Sequence, residues 1–189
     1  MRLEHDMLGT LPIPEDAYYG VHTARALQNF LIARRPIHPA LTRALVEVKK
    51  AAAITNREIG ALDARIADAI VRAADEILGG ALSDQFPVDE MQGGAGTSAN
   101  MNVNEVLANR AIELLGGQKG EYSIVHPLDH VNLHQSTNDV FPTAVRVAAI
   151  RLLKPVSERF AQLQTALQEK EEAFHDVLKV GRTQLQDAV

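Results

Sequence analysis

The sequence contains no cysteine and no tryptophan, and only three Tyr and five Phe among 189 residues. Without thiols there is no disulfide framework, no thiolate nucleophile and no Cys-bound zinc, and a reducing, cytoplasmic setting is the default expectation. Aromatics make up 4% of a chain that is 46% hydrophobic, so the apolar content is mainly Ala, Leu, Val and Ile. That composition favours closely packed helices over a sheet sandwich built on large rings. A basic surplus is also lacking: 19 Lys plus Arg stand against 24 Asp plus Glu, for a net charge of −5. With no basic run either, nothing points to nucleic acid or to an anionic membrane as a partner. No apolar stretch approaches the roughly 18 residues of a membrane span. The start, MRLEHDMLG, mixes charges of both signs and lacks the apolar segment of a secretory signal. What remains is a chain of one or two domains, long enough to bury a substantial core.

Pro12, Pro14, Pro36 and Pro39 break the opening segment, which is expected to be an irregular arm over 1–37, with turns around LPIPEDAYYG and one helical turn near 23–29. From Pro39 onward, Leu41, Leu45, Val48, Ala52 and Ile59 fall on helical spacing, and proline suits a first turn because its missing N–H has no partner there anyway. A second helix is expected over 63–78, capped by Asp63, with Ile66, Ile70 and Ile77 on its buried face and Gly79-Gly80 as the stop. Loops are expected over 81–97 and 118–137, with a third helix over 98–115 between them. In the last segment, Val145, Ala149, Leu152, Val156, Phe160, Leu163 and Leu167 step by three or four. Pro155 is expected to kink that helix, since the stripe resumes in register beyond it. A stripe this long needs other long helices to cover it, and this chain offers few. Together with the ending GRTQLQDAV, this reads as the N-terminal part of something larger.

Three polar clusters share one composition: GAGTSANMN (94–102), HVNLHQSTND (130–139) and GRTQLQD (181–187). Each is expected at a loop–helix junction and offers hydroxyls and amides. Two readings stand. Ser98, and Asn138 or Asp139, are candidate helix caps, with Pro142 inside the first turn of the last helix. Alternatively the clusters line a pocket for a small anion, since free N–H groups and the helix dipole favour negative charge at helix N-termini. GGAGTS has no following Lys and no preceding strand, so it is not a phosphate loop. His126, His130 and His134 stand four apart, but Pro127 interrupts a regular helix and Asp129 is the sole carboxylate close by; no metal site is expected. His5, His22, His38 and His175 are isolated and read as structural or solvated. Ser136 lies near His134 in sequence, yet nothing supports a Ser-His-acid arrangement. Neutral donors are left as the chemistry of the chain, suited to stabilising carboxylate charge as it builds up.

Four ordered blocks, DAYYGVHTARALQNF (16–30), QGGAGTSANMNVNEVLANRA (92–111), HPLDHVNLHQSTNDVFPTA (126–144) and KVGRTQLQDAV (179–189), resemble the aspartase/fumarase superfamily. YYGVHT, GTS and QSTND resemble its aspartase branch, whereas class II fumarases tend to show GTQ and QSSND. Gln184 stands where other members carry His, and Leu128 where HPND is more usual.

The resemblance implies a mainly α fold: an N-terminal helical domain over 1–137, then over 138–189 the start of a long-helix bundle. It further implies reversible elimination of ammonia from L-aspartate to give fumarate through an aci-carboxylate intermediate, without an organic cofactor. By the same resemblance, Thr97, Ser136 and Thr137 match positions that hold the side-chain carboxylate, Asn138 a position near the amino group, and Thr183 and Gln184 positions contacting the other end of the substrate. The family's base, a serine on a GSS-type loop accompanied by a lysine, has no counterpart here and is expected beyond Val189. The family's sites are assembled from three subunits of a homotetramer, so the segment alone is expected to be inactive. The rival readings are a class II fumarate hydratase and a non-catalytic helical oligomerisation module.

Overall fold

The computed structural model describes residues 1–187. The chain divides into two compact units, Met1–Ala149 and Ile150–Val189; the last helix begins at Thr137, beside the expected junction.

The first unit opens with an antiparallel hairpin, β1 (Arg2–Asp6) and β2 (Gly9–Ile13), with Arg2 opposite Ile13 and Asp6 opposite Gly9. The expected irregular arm is therefore a hairpin, and its burial explains why the pattern concealed it. Strand β1 buries Glu4 and exposes Leu3, the reverse of the alternation that marks a half-buried strand. The Arg2 guanidinium compensates by donating to Glu4 Oε1 and to the carbonyls of Pro14, Ala17 and Tyr19, at 2.6–3.1 Å.

Helix α1 (Val21–Asn29) follows, then α2 (Pro39–Glu58), with Pro39 in its first turn as expected. His38, which read as isolated, caps α2: its Nδ1 accepts the Ala40 N–H at 3.1 Å. Ile59 lies beyond the end of α2 and is exposed, not on the buried face. Helix α3 (Ala64–Leu78) starts where Asp63 Oδ1 takes the Arg65 and Ile66 N–H groups and stops at Gly79-Gly80, Gly80 having φ +106°. Ala67, Ile70, Ala73, Ala74 and Ile77 are its buried face, while Ile66 is half-buried. Between α3 and α4 the expected loop contains one short 3₁₀ turn, Ser83–Gln85.

Helix α4 (Thr97–Leu114) is the centre of the unit, packed by α1, α2 and α3. It is buried on all sides, so its polar residues Asn100, Asn102, Asn104, Glu105 and Asn109 are buried too. The following segment is not all loop, because Pro127–Val131 forms a π-helical turn. Its closing residues lead into α5 (Thr137–Phe174), of which Val140, Ala144 and Ala148 join the core of the first unit.

The second unit contains the rest of α5, which continues through Pro155, and a hairpin of β3 (Arg182–Thr183) with β4 (Gln186–Asp187). GRTQLQD thus lies at a hairpin rather than a loop–helix junction. Leu152, Val156, Phe160, Leu163 and Leu167 are all exposed, so the stripe is uncovered. Among the described residues no helix is long and apolar enough to cross a membrane.

Candidate functional site

Two helix N-termini meet in the first unit. Gly96 precedes α4 at φ +86°, and a Cβ built there would lie 2.2 Å from Phe141 Cδ2, in the second turn of α5. Only a glycine permits that approach. One turn further along α4, Asn100 Nδ2 donates to Thr137 Oγ1 at 3.1 Å, so the first residue of α5 is tied to α4. Thr97 stands three residues before Asn100 and shares its helix face. The start of α4, where Thr97 stands, thus lies beside the start of α5, where Thr137 follows Ser136, and each helix N-terminus carries near half an elementary positive charge.

Thr97 is the first residue of α4 and is exposed. Ser98 is not the cap of α4. The N-cap Gly96 has no side chain to offer, and Gln92 Oε1 reaches back to take the Ala99 N–H at 2.8 Å. Ser136 is the residue that caps α5, its Oγ accepting the Asn138 N–H at 3.2 Å. Asn138 and Asp139 lie inside the first turn, both exposed, and Pro142 falls in the second turn. The neighbouring hydroxyls accordingly have different partners: Ser136 caps α5, while the Thr137 hydroxyl accepts from a side chain of another helix. Thr183 and Gln184 belong to the second unit, where both are exposed. Thr183 pairs with Gln186 across the hairpin, and Gln184 occupies its turn with φ +50°.

Behind Thr137 is a buried polar cluster that hydrophobic patterning does not mark. Asn132 Oδ1 accepts from Lys49 Nζ at 2.7 Å, from Asn100 Nδ2 at 3.1 Å and from Asn104 Nδ2 at 3.2 Å. Asn132 Nδ2 donates to the Gln135 carbonyl at 3.0 Å. Lys49 is wholly buried, and desolvation brings its pKa down from 10.5 to about 7. Asn100 Oδ1 and Asn104 Oδ1 are buried without a partner. One signal was available: Asn100, Asn102 and Asn104 alternate within a helix, where asparagine is a poor former unless its amide is used.

The histidines of the preceding turn are spent on the backbone. His126 Nδ1 accepts the Leu128 and Asp129 N–H groups, and His130 Nδ1 accepts the His126 N–H at 2.8 Å. His134, at φ +58°, pairs its Nδ1 with Asn56 Oδ1 at 3.1 Å. A second buried group orders the entrance of α1. Glu105 of α4 takes the Gly20, His22 and Thr23 N–H groups and the Thr23 hydroxyl at 2.7–3.1 Å, while Glu4 Oε2 takes the Val21 N–H at 3.0 Å. Burial pushes the Glu105 carboxyl above its ordinary pKa.

A family model described as lyase matches residues 9–189. The chain belongs to the aspartase/fumarase family of lyases. It is 53% identical over 189 residues to an aspartate ammonia-lyase of a Bacillus species, covering all of this chain and 40% of the relative. It is 51% identical over 189 residues to the class II fumarate hydratase of Thermosynechococcus vestitus, again covering 100% of this chain and 40% of that one. The crystal structure of fumarate lyase:delta crystallin from Brucella melitensis in native form superposes with a TM-score of 0.94 at 51% identity, covering 100% of this chain and 43% of that chain. The lyase segment thus spans about 40% of the length of the curated relatives it matches.

Proposed function

We propose that this segment supplies the carboxylate-holding part of an aspartate ammonia-lyase. The observation that carries the reading is the Asn100–Thr137 bond, which holds a hydroxyl at the meeting point of two helix N-termini. Thr97, Ser136 and Thr137 bind the side-chain carboxylate of L-aspartate, Asn138 lies at the amino group, and Thr183 and Gln184 contact the other end. A base supplied outside these 189 residues removes a proton from the carbon beside that carboxylate. The electron pair enters the carboxylate, giving an aci-carboxylate dianion. Its return forms the carbon–carbon double bond of fumarate as the carbon–nitrogen bond breaks and ammonia leaves. Hydroxyl donors fixed before reaction stabilise that dianion more than the substrate, which is what lowers the barrier. No organic cofactor enters this scheme.

The exposed stripe of α5 is covered by further long helices in a cytoplasmic homotetramer. A class II fumarate hydratase is the second reading, favoured by the 51% identity to such an enzyme. The test is fumarate formation by the complete protein, followed by ultraviolet absorbance with L-aspartate or malate as substrate. Faster turnover of aspartate is expected. Faster turnover of malate reverses the choice, and turnover of neither reduces the segment to a helical assembly module. The 189-residue chain alone is expected to form no fumarate from aspartate.

A further inference from the structure

We infer that Lys49 is a positioning residue for the proposed site: through Asn132 and Asn100 it fixes the direction in which the Thr137 hydroxyl donates. The inference rests on the carboxylate-binding reading of Thr137.

Asn132 lies between a donor and an acceptor. On one side Lys49 Nζ, which carries N–H groups to give in either protonation state, meets Oδ1 at 2.7 Å; on the other the Gln135 carbonyl, which can only accept, meets Nδ2 at 3.0 Å. One orientation of the amide satisfies both. Asn132 therefore presents oxygen to α4, and Asn100 must answer with its NH₂ group. Both contacts of Asn100 come from that one nitrogen, to Asn132 Oδ1 and to Thr137 Oγ1, each at 3.1 Å.

The consequence falls on the hydroxyl. With a lone pair of Thr137 Oγ1 engaged by Asn100, its hydrogen is free to turn toward a carboxylate. If the chain ran the other way, Asn100 Oδ1 would occupy the place of Nδ2 and take that hydrogen inward. Thr137 would then meet an anion with lone pairs. A buried donor 83 residues from Asn132 in sequence thus sets the polarity of a hydrogen bond at the ligand.

A double-mutant cycle in the complete protein tests this, with Lys49→Met, Thr137→Val and the pair. The readouts are kcat/KM for L-aspartate and competitive inhibition by succinate. Lys49→Met is expected to lower kcat/KM and weaken succinate roughly tenfold, an effect of the size of one misdirected hydrogen bond. In the Thr137→Val background the same change is expected to matter less than about twofold, because the hydroxyl it directs is gone. Equal losses in both backgrounds, or no loss in the first, overturn the inference. Should Lys49→Met not fold, Lys49→Gln replaces it in the cycle. That variant withdraws the obligate donor from Asn132 Oδ1 while keeping a polar group, and the same vanishing of its effect is expected. A wild-type protein that neither turns over aspartate nor binds succinate overturns the lyase reading itself. An active wild type with additive variants overturns the role of Lys49 alone.

Discussion

Gly96 and Phe141 approach so closely that a single added carbon on the glycine would lie 2.2 Å from the ring. The backbone at Gly96 is also left-handed, φ +86°. Gly96→Ala therefore meets two obstacles, the backbone strain of roughly 1 kcal/mol and a clash with a ring packed against the core. The expected result is loss of at least about 2 kcal/mol in denaturant unfolding, typical of an overpacked core position. Because relief of the clash moves α4 away from α5, aspartate turnover by the complete protein should fall as well. Unchanged turnover would show that the two helix ends need not meet.

The entrance of α1 makes an independent prediction about stability. Glu105 accepts three backbone N–H groups and one hydroxyl while almost wholly buried. Glu105→Ala removes all four partners at once and leaves buried donors unsatisfied. A loss of about 3 kcal/mol is expected, from the cost of stranded buried polar groups. Gly20→Ala should do comparable damage, since its Cβ would lie 2.4 Å from the Tyr122 hydroxyl and 2.5 Å from Glu4 Oε2. Thermal unfolding of both variants measures this.

How much of this was legible beforehand depended on whether the signal was local. Pro39 at the start of α2, Asp63 as a cap and Gly79-Gly80 as a stop act within a few residues, and all three were readable from the sequence. QSTND was readable as cap or pocket; that Ser136 caps α5 while the Thr137 hydroxyl is held from another helix depends on Asn100, 37 residues from Thr137. Lys49 had no local mark, because a lysine in a helical VKKAAA run reads as solvated and its neighbour Lys50 does reach an exposed carboxylate, Asp75. The hairpin was hidden for a different reason. In β1 the buried residue is Glu4, held by Arg2, and hydrophobic patterning has no way to record a buried ion pair; Ile13 of β2 is buried in the ordinary way.

Lys49 also predicts a pH dependence. Its pKa is about 7 in the fold against an ordinary value of 10.5. Between those values the unfolded chain binds a proton that the folded chain does not, so stability rises with pH across the window. Below about pH 7 both states are protonated, and the full burial penalty is present. The slope is about 1.4 kcal/mol per pH unit inside the window. Lys49→Met removes this contribution, so the stability advantage of the variant over wild type should shrink as pH rises from 7 to 9.5. Parallel curves for the two proteins would mean that Lys49 keeps an ordinary affinity for its proton.

Ser136 and Thr137 are adjacent, both carry hydroxyls, and they should respond oppositely to removal of those hydroxyls. Ser136→Ala deletes the acceptor of the Asn138 N–H, and loss of such a cap costs about 1 kcal/mol of stability. Thr137→Val keeps the shape of the side chain and leaves the cap in place, so unfolding should change by less, the stranded Asn100 N–H being its one structural cost. In kinetics the larger effect belongs to Thr137. A fixed donor to the developing carboxylate charge is worth roughly 3 kcal/mol, so kcat/KM for aspartate should drop about a hundredfold or more. Measuring unfolding and turnover on both variants shows how much each hydroxyl contributes to the start of α5 and how much to holding the reacting carboxylate. If Thr137→Val lowered stability and left turnover intact, the hydroxyl would be part of the scaffold and the carboxylate would have to bind elsewhere.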